Sequence, residues 1–170
     1  MKKQKISEIA AQFSAYNVQF SDTGEGFEII NPYSEGKEPI IVMDEGREPY
    51  TAYVVSFSYF HTHPDMAEQV IAWVRDILEG RRFVIAFFKE DRWAGSTTLE
   101  EQQLHELTYE TLAKHMGWDG ITKPPYGDPV RLIDKADSFI IRGWGKDADF
   151  DGKFIKDAQG NVSIQAFRKS

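Results

Sequence analysis

The chain of 170 residues contains no cysteine. It therefore cannot form a disulfide, supply a thiolate nucleophile or build a zinc or iron–sulfur site from Cys ligands. It also lacks an apolar run of about 18 residues, the length that a membrane-spanning helix needs. The lysines near its start are not followed by the apolar core of a signal peptide. These absences predict a cytoplasmic protein without a membrane span.

Basic residues are in the minority. The sequence has 20 Lys and Arg against 27 Asp and Glu, a formal net charge of −7. A negative field repels nucleic-acid phosphates and anionic lipids, so we expect neither nucleic-acid nor membrane binding. Another protein, above all one with a basic surface, is the partner that this charge favours. The alternative is that the negative charge only keeps the protein in solution.

Aromatic residues, by contrast, are abundant at 14% of the chain, including 12 Phe. Each buried ring removes a large area from water, so a chain of this length can build a stable core. The sequence contains no repeat, no low-complexity tract and no long linker. It therefore predicts a single globular domain over residues 1–170.

Apolar periodicity predicts the elements. Ile6, Ile9, Ala10 and Phe13 have the spacing of a short helix, and an alternating pattern of aromatics over 50–61 indicates one long strand. The other predicted elements are strands at 27–30, 40–43, 83–88, 138–144, 152–156 and 162–167 and helices at 65–79 and 98–116. Because strands cluster between helices instead of alternating with them, we predict an α+β fold, a mostly antiparallel sheet packed by two or three helices.

The helix predicted at 65–79 has recognisable ends. Asp65 and Glu68 have the spacing of a capping box, and Gly80 is a natural stop. The helix predicted at 98–116 would end at Gly117.

Two histidines lie between the long strand and the helix predicted at 65–79, in Phe60-His61-Thr62-His63-Pro64. Side chains two residues apart in a strand lie on one face, and neutral imidazoles bind zinc, iron or nickel. The alternative is a structural role, in which the imidazoles continue the aromatic face of the strand and Pro64 opens the helix.

This segment resembles the JAMM metalloproteases, which cleave isopeptide bonds with zinc. The resemblance implies that His61 and His63 are two metal ligands. The Ser and Asp of that family fall on Ile71 and Val74 here, and Asp76, two residues further, is the candidate third ligand. Five glutamates compete for the general base that the family places upstream: Glu28, Glu35, Glu38, Glu45 and Glu48.

A second candidate site is acidic. Asp147, Asp149 and Asp151, followed by Gly152, reproduce the first half of an EF-hand calcium loop. The bidentate Glu of such a loop is replaced by Ala158. An acidic turn explains the same residues.

The order of aromatic strand, His-x-His, helix, apolar strand and Trp93-x-Gly95-Ser96 is similar to a set of small bacterial proteins, some grouped with toxin-immunity families. The similarity extends over about residues 49–98. It implies a catalytically silent protein that binds another protein. We therefore expect a non-enzymatic protein-binding domain without a cofactor. The first alternative is a hydrolase with a divalent transition metal on His61 and His63. The second is a purely structural or oligomer-forming domain, because the sequence does not show which aromatic residues are exposed.

Overall fold

The computed structural model describes residues 5–33, 37–46, 53–118 and 130–168. The chain divides into two compact units. The first comprises Met1–Arg81 and Trp144–Lys146, and the second Arg82–Gly143 and Asp147–Ser170. Both units combine helices with an antiparallel sheet, which confirms the α+β class. The single domain over residues 1–170 stays a prediction.

The described part of the first unit contains a sheet of five strands whose order follows the chain. Its elements are α1 Ile6–Ala10, a 3₁₀ turn Ala11–Phe13, β1 Val18–Phe20, β2 Gly26–Ile29, β3 Ile40–Asp44, β4 Tyr53–Phe57, β5 Phe60–Thr62 and α2 Ala67–Leu78. Every neighbouring pair of strands is antiparallel. The opening helix is confirmed, and all four of its predicted apolar residues are buried.

Alternation along the strands gives this sheet one buried face. Val42 on β3 and Val55 on β4 are directly paired and fully buried, and Tyr53 and Phe57 lie on the same face. Helix α2 contributes Val70, Val74 and Ile77 to the core, the helical stripe expected of an amphipathic helix. The intervening residues point to the opposite face, since strand side chains alternate.

The single strand predicted over 50–61 is wrong. The described residues form a hairpin in which Phe57 pairs with Phe60 across the turn residues Ser58 and Tyr59. Ser58 has a φ of 54°, a left-handed conformation that turns the chain back on itself. The period-two aromatic pattern continues through the turn, so periodicity alone did not show the reversal.

The start of α2 also differs from the prediction. The helix begins at Ala67, and Gln69 rather than Glu68 reaches back: its Oε1 accepts from the Asp65 and Met66 amides at 3.1 and 3.2 Å. The predicted stop is confirmed. Gly80 has a φ of 71°, and the Arg81 amide donates to the Asp76 carbonyl at 2.8 Å, the bond of a Schellman motif.

The described part of the second unit has a five-stranded antiparallel sheet with the strand order β10-β9-β8-β6-β7. Its elements are β6 Arg82–Lys89, β7 Arg92–Glu100, α3 Glu101–His105, α4 Tyr109–Met116, α5 Leu132–Lys135, β8 Ser138–Arg142, β9 Phe150–Lys156 and β10 Val162–Arg168. Strand β6 lies inside the sheet, and both of its faces are buried from Phe83 to Phe87. This confirms the doubly covered strand that its continuous apolar run predicted.

The helix predicted over 98–116 is wrong in its first half. Strand β7 continues to Glu100, and the remaining residues form two helices, α3 and α4. The Thr108 hydroxyl accepts from the Thr111 amide at 3.1 Å, which starts α4 as a separate helix. Gly117 ends it at a φ of 69°, as predicted. The prolines at 124, 125 and 129 lie outside the described residues.

The closing strands β8, β9 and β10 are confirmed as antiparallel neighbours. Asp157 organises the turn between β9 and β10, because its carboxylate accepts from the Gln159 amide at 2.9 Å and the Asn161 amide at 2.8 Å. The Asn161 side chain also donates to it, at 2.9 Å. These bonds hold the pKa of Asp157 below its ordinary value, and the bond from the Asn161 side chain has the largest effect.

Candidate functional site

His61 and His63 lie next to each other in the first unit. His61 is on β5, opposite Ser56 of β4, and His63 follows the strand. The amide of Tyr53 donates to the carbonyl of Pro64 at 3.2 Å, so the pairing with β4 continues beyond His63. Their ring centroids are 5.1 Å apart with the planes at 86°, and both residues are exposed. The structure therefore brings the predicted pair together on the solvent-facing side of the sheet.

Among the described residues, one of the competing glutamates reaches this pair, and Glu35 and Glu48 lie outside the described ranges. Glu45, directly after β3, places its Oε2 3.4 Å from His63 Nδ1. A carboxylate beside Nδ1 favours a proton on that nitrogen and leaves the Nε2 lone pair available. A carboxylate beside one imidazole nitrogen also occurs around metal-bound histidines in other proteins.

Asp76, the predicted third ligand, has a different role. Its Oδ1 accepts from Arg81 at 2.9 and 3.0 Å, just past the end of α2. Within the described ranges, no group of three or more His, Asp or Glu side chains is arranged to hold a metal. The position at which the JAMM pattern requires its aspartate is Val74, which is fully buried in the core. The histidine pair thus lacks a third ligand among the described residues of one chain.

Two aspartates of the predicted calcium turn have different partners. Asp151 lies on β9 and forms an ion pair with Arg142, Oδ1 to Nη1 2.8 Å. Asp149 Oδ1 accepts from the Gly143 amide at 3.3 Å, and Asp147 lies in the turn before it. The carboxylates of Asp149 and Asp151 thus bond to the end of β8 and the residue after it. Calcium binding by the three aspartates stays a prediction.

Three exposed tyrosines lie at one end of the first sheet. In this antiparallel sheet, Val18 at the start of β1, Ile29 at the end of β2 and Phe57 at the end of β4 belong to one row. Tyr16 precedes β1, Tyr33 follows β2 and Tyr59 lies in the β4–β5 turn, so all three lie beyond this row. They are 40%, 49% and 47% exposed, and we call them the tyrosine end.

The sequence prediction missed the tyrosine end. Each tyrosine adjoins an apolar run, but only the strand order shows that the three connections meet at the same end.

A small cleft lies in the second unit. It measures about 170 Å³ and is lined by Leu99, Gln103, Glu106, Leu107, Thr111, Leu112 and His115. His115 Nε2 donates to the Thr98 carbonyl at 3.0 Å, so Nδ1 is the acceptor for the Gln103 amide at 3.4 Å. Both ring nitrogens are thereby used to join α4 to the end of β7 and to α3. His115 is a structural residue.

No protein-family model, curated protein or solved structure matches this chain. Among the described residues, no helix combines the length and the apolar character needed to cross a membrane.

Proposed function

We propose that this chain is a non-enzymatic protein-binding protein of the immunity-like kind, and that it binds its partner through the tyrosine end. The observation that carries the proposal is the position of Tyr16, Tyr33 and Tyr59 beyond the same row of the sheet, each at least 40% exposed. Tyrosine is enriched at protein interfaces and among hot-spot residues, because it combines a large apolar ring with a hydrogen-bonding tip.

Charge favours a basic partner. The sequence of the first unit carries 13 acidic and 8 basic residues, so −5 of the net charge of −7 belongs to the unit with the tyrosine end. An acidic surface accelerates association with a basic one, and salt weakens that effect. We therefore expect a partner that associates more slowly as salt increases.

The test compares two sets of substitutions in capture from a bacterial lysate. The test variant is Tyr16→Ser/Tyr33→Ser/Tyr59→Ser, and the matched control is Trp93→Ser/Ile155→Ser, which removes exposed apolar side chains from the second unit. We expect a protein that wild type and control retain and the tyrosine variant loses. With that protein purified, calorimetry should show a loss of affinity of about 30-fold or more, since a hot-spot truncation costs about 2 kcal/mol.

All substituted residues are exposed, so the variants should keep the wild-type unfolding midpoint. Equal binding by the tyrosine variant and the wild type would refute the tyrosine end as the interface.

A metal-dependent hydrolase on His61 and His63 is the second candidate, favoured by the imidazole pair and Glu45 beside it. A catalytic zinc needs three protein ligands and one open position. The measurement is the hydrolysis of peptide and ester substrates by the zinc-loaded protein. Activity that disappears in His61→Ala/His63→Ala would favour this candidate, and activity that is absent or unchanged would exclude it.

A further inference from the structure

Strand β5 is an edge of the first sheet: among the described residues its one neighbouring strand is β4. Antiparallel ladders alternate between pairs that exchange hydrogen bonds and pairs that do not. The Tyr53 amide bonds to Pro64, so Val55 and Thr62, two positions along, are again a hydrogen-bonding pair. The pairs that His61 and His63 form with β4 therefore exchange no hydrogen bonds. The backbone N–H and C=O groups of His61 and His63 therefore point away from β4, toward the open edge.

This edge is complementary to itself. A second copy, placed antiparallel about a two-fold axis at Thr62, brings His61 opposite His63 of the second copy, and His63 opposite His61 of the second copy. In each of these two pairs, the N–H of either histidine donates to the C=O of the other. Two bonds in each pair give four backbone hydrogen bonds between the copies. A two-fold axis closes the assembly at two chains.

The same pairing gathers four imidazoles. His61 and His63 lie on one face of β5, and side chains directly opposite on paired strands have Cβ atoms about 4.5–5.5 Å apart. The two histidines of one chain lack a third ligand among the described residues, and a second copy supplies two more. Four neutral nitrogen ligands suit the tetrahedral coordination of zinc. Glu45 beside His63 Nδ1 leaves Nε2 to face the metal.

We propose that two copies of this chain pair antiparallel along β5 and bind one zinc ion through His61 and His63 of both copies. The pairing depends on the metal for two reasons. β5 has only three residues, and short edge strands pair weakly. Each chain also has a net charge of −7, and the cation offsets part of the repulsion between the copies. Four protein ligands close the coordination shell, as in structural zinc sites.

The first experiment is sedimentation velocity of the untagged full chain during titration with ZnCl₂, beside calorimetry for stoichiometry. We expect the 19.5 kDa chain to double in mass, with one zinc per two chains, and EDTA to reverse the change. His61→Ala/His63→Ala should lose both effects. His105→Ala, which removes an exposed histidine from α3 in the other unit, is the matched control and should keep them. Glu45→Gln should weaken zinc binding about 10-fold or more.

A second variant tests the register. The chain has no cysteine, so Thr62→Cys introduces a single thiol, on the face of β5 opposite the histidines. In the proposed pairing this residue faces itself in the second copy at a Cα separation of about 4.5 Å, which a disulfide can bridge. In air-saturated buffer, where dissolved oxygen accepts the two electrons and two protons of the thiol pair, we expect zinc to accelerate formation of a disulfide-linked dimer. Thr23→Cys, at an exposed turn of the same unit, should form no zinc-accelerated dimer.

Three results would overturn the proposal: one zinc per chain without a change in mass, a dimer that survives loss of both histidines, or a Thr62→Cys variant that zinc does not link. The proposal is independent of the tyrosine end. The tyrosine variant should dimerise with zinc like the wild type, so that a failure of one proposal is distinguishable from a failure of the other.

Discussion

Gly152 illustrates how one missing side chain shapes the second sheet. It pairs directly with Phe139 across β9 and β8, and a Cβ at this position would overlap the Phe139 ring. Phe139 in turn packs against Phe154, with ring centroids 5.4 Å apart, and is 1% exposed. Because Gly152 has no Cβ, the Phe139 ring has room to pack over it.

Gly152→Ala should lower the free energy of unfolding by about 1–3 kcal/mol, because overpacking displaces a buried ring. Urea denaturation followed by fluorescence measures this. Lys153→Ala, at the exposed next position of β9, is the control and should change stability by less than about 0.5 kcal/mol. Combining Gly152→Ala with Phe139→Leu should cost less than the sum of the two single changes. Additive costs would contradict the overlap.

The sequence could not show this role. Gly152 followed three alternating aspartates, so it looked like the turn glycine of a calcium loop, and the ring that explains it lies 13 residues earlier on another strand. The histidine pair could be predicted, because its two members lie two residues apart in one strand. Glu45 could only be one of five candidates, because its approach to His63 depends on the sheet that brings β3 and β5 together.

At the scale of elements, the clearest failures of the sequence prediction are breaks within continuous patterns. Leu104, Leu107 and Leu112 continue a helical spacing across 98–116, yet α3 ends at His105 and α4 begins at Tyr109. A local cap at Thr108 outweighs the spacing there, since its side chain satisfies an amide that a continuous helix would bond differently. Strands with strong runs, such as β6, were predicted well because burial on both faces leaves a continuous apolar stretch.

Thr108→Ala should destabilise the protein by about 1 kcal/mol, the usual cost of losing an N-cap hydroxyl. In a chain of this size the unfolding midpoint should fall by about 2–4 °C, which differential scanning calorimetry resolves. Thr108→Ser retains the hydroxyl and should stay close to wild type. An alanine variant as stable as the serine variant would show that the cap contributes nothing.

At the scale of the whole molecule, the first unit contains a segment from far along the chain. Trp144–Lys146 belongs to it, although β8 and β9 on either side belong to the second unit. The Asn31 side chain, 7% exposed, donates to the Trp144 carbonyl at 3.1 Å, and the Trp144 ring lies 6.1 Å from that of Phe57. Sequence periodicity identified most strands of both sheets, but it did not identify β1 or β7. It also did not show the division into two units, because three residues are too short a segment to carry a periodic signal.

Asn31→Ala should lower the free energy of unfolding by about 1–3 kcal/mol, because the buried Trp144 carbonyl loses its donor. Since the chain passes into the first unit and back between two strands of the second, we expect one calorimetric transition in both wild type and variant. Asn17→Ala, at an exposed position, is the control. Two separate transitions would contradict the prediction of a single domain over residues 1–170.

The insertion of Trp144–Lys146 also bears on the order in which the protein is made. When the first 81 residues have emerged from the ribosome, all the described strands of the first sheet are present. Trp144, whose ring packs against Phe57 and whose carbonyl accepts from the Asn31 side chain, has not yet been made. The first unit therefore stays incomplete during synthesis until the segment Trp144–Lys146 has emerged. Nascent chains truncated before residue 144 should consequently be more sensitive to proteases in their first 81 residues than chains extended past residue 146.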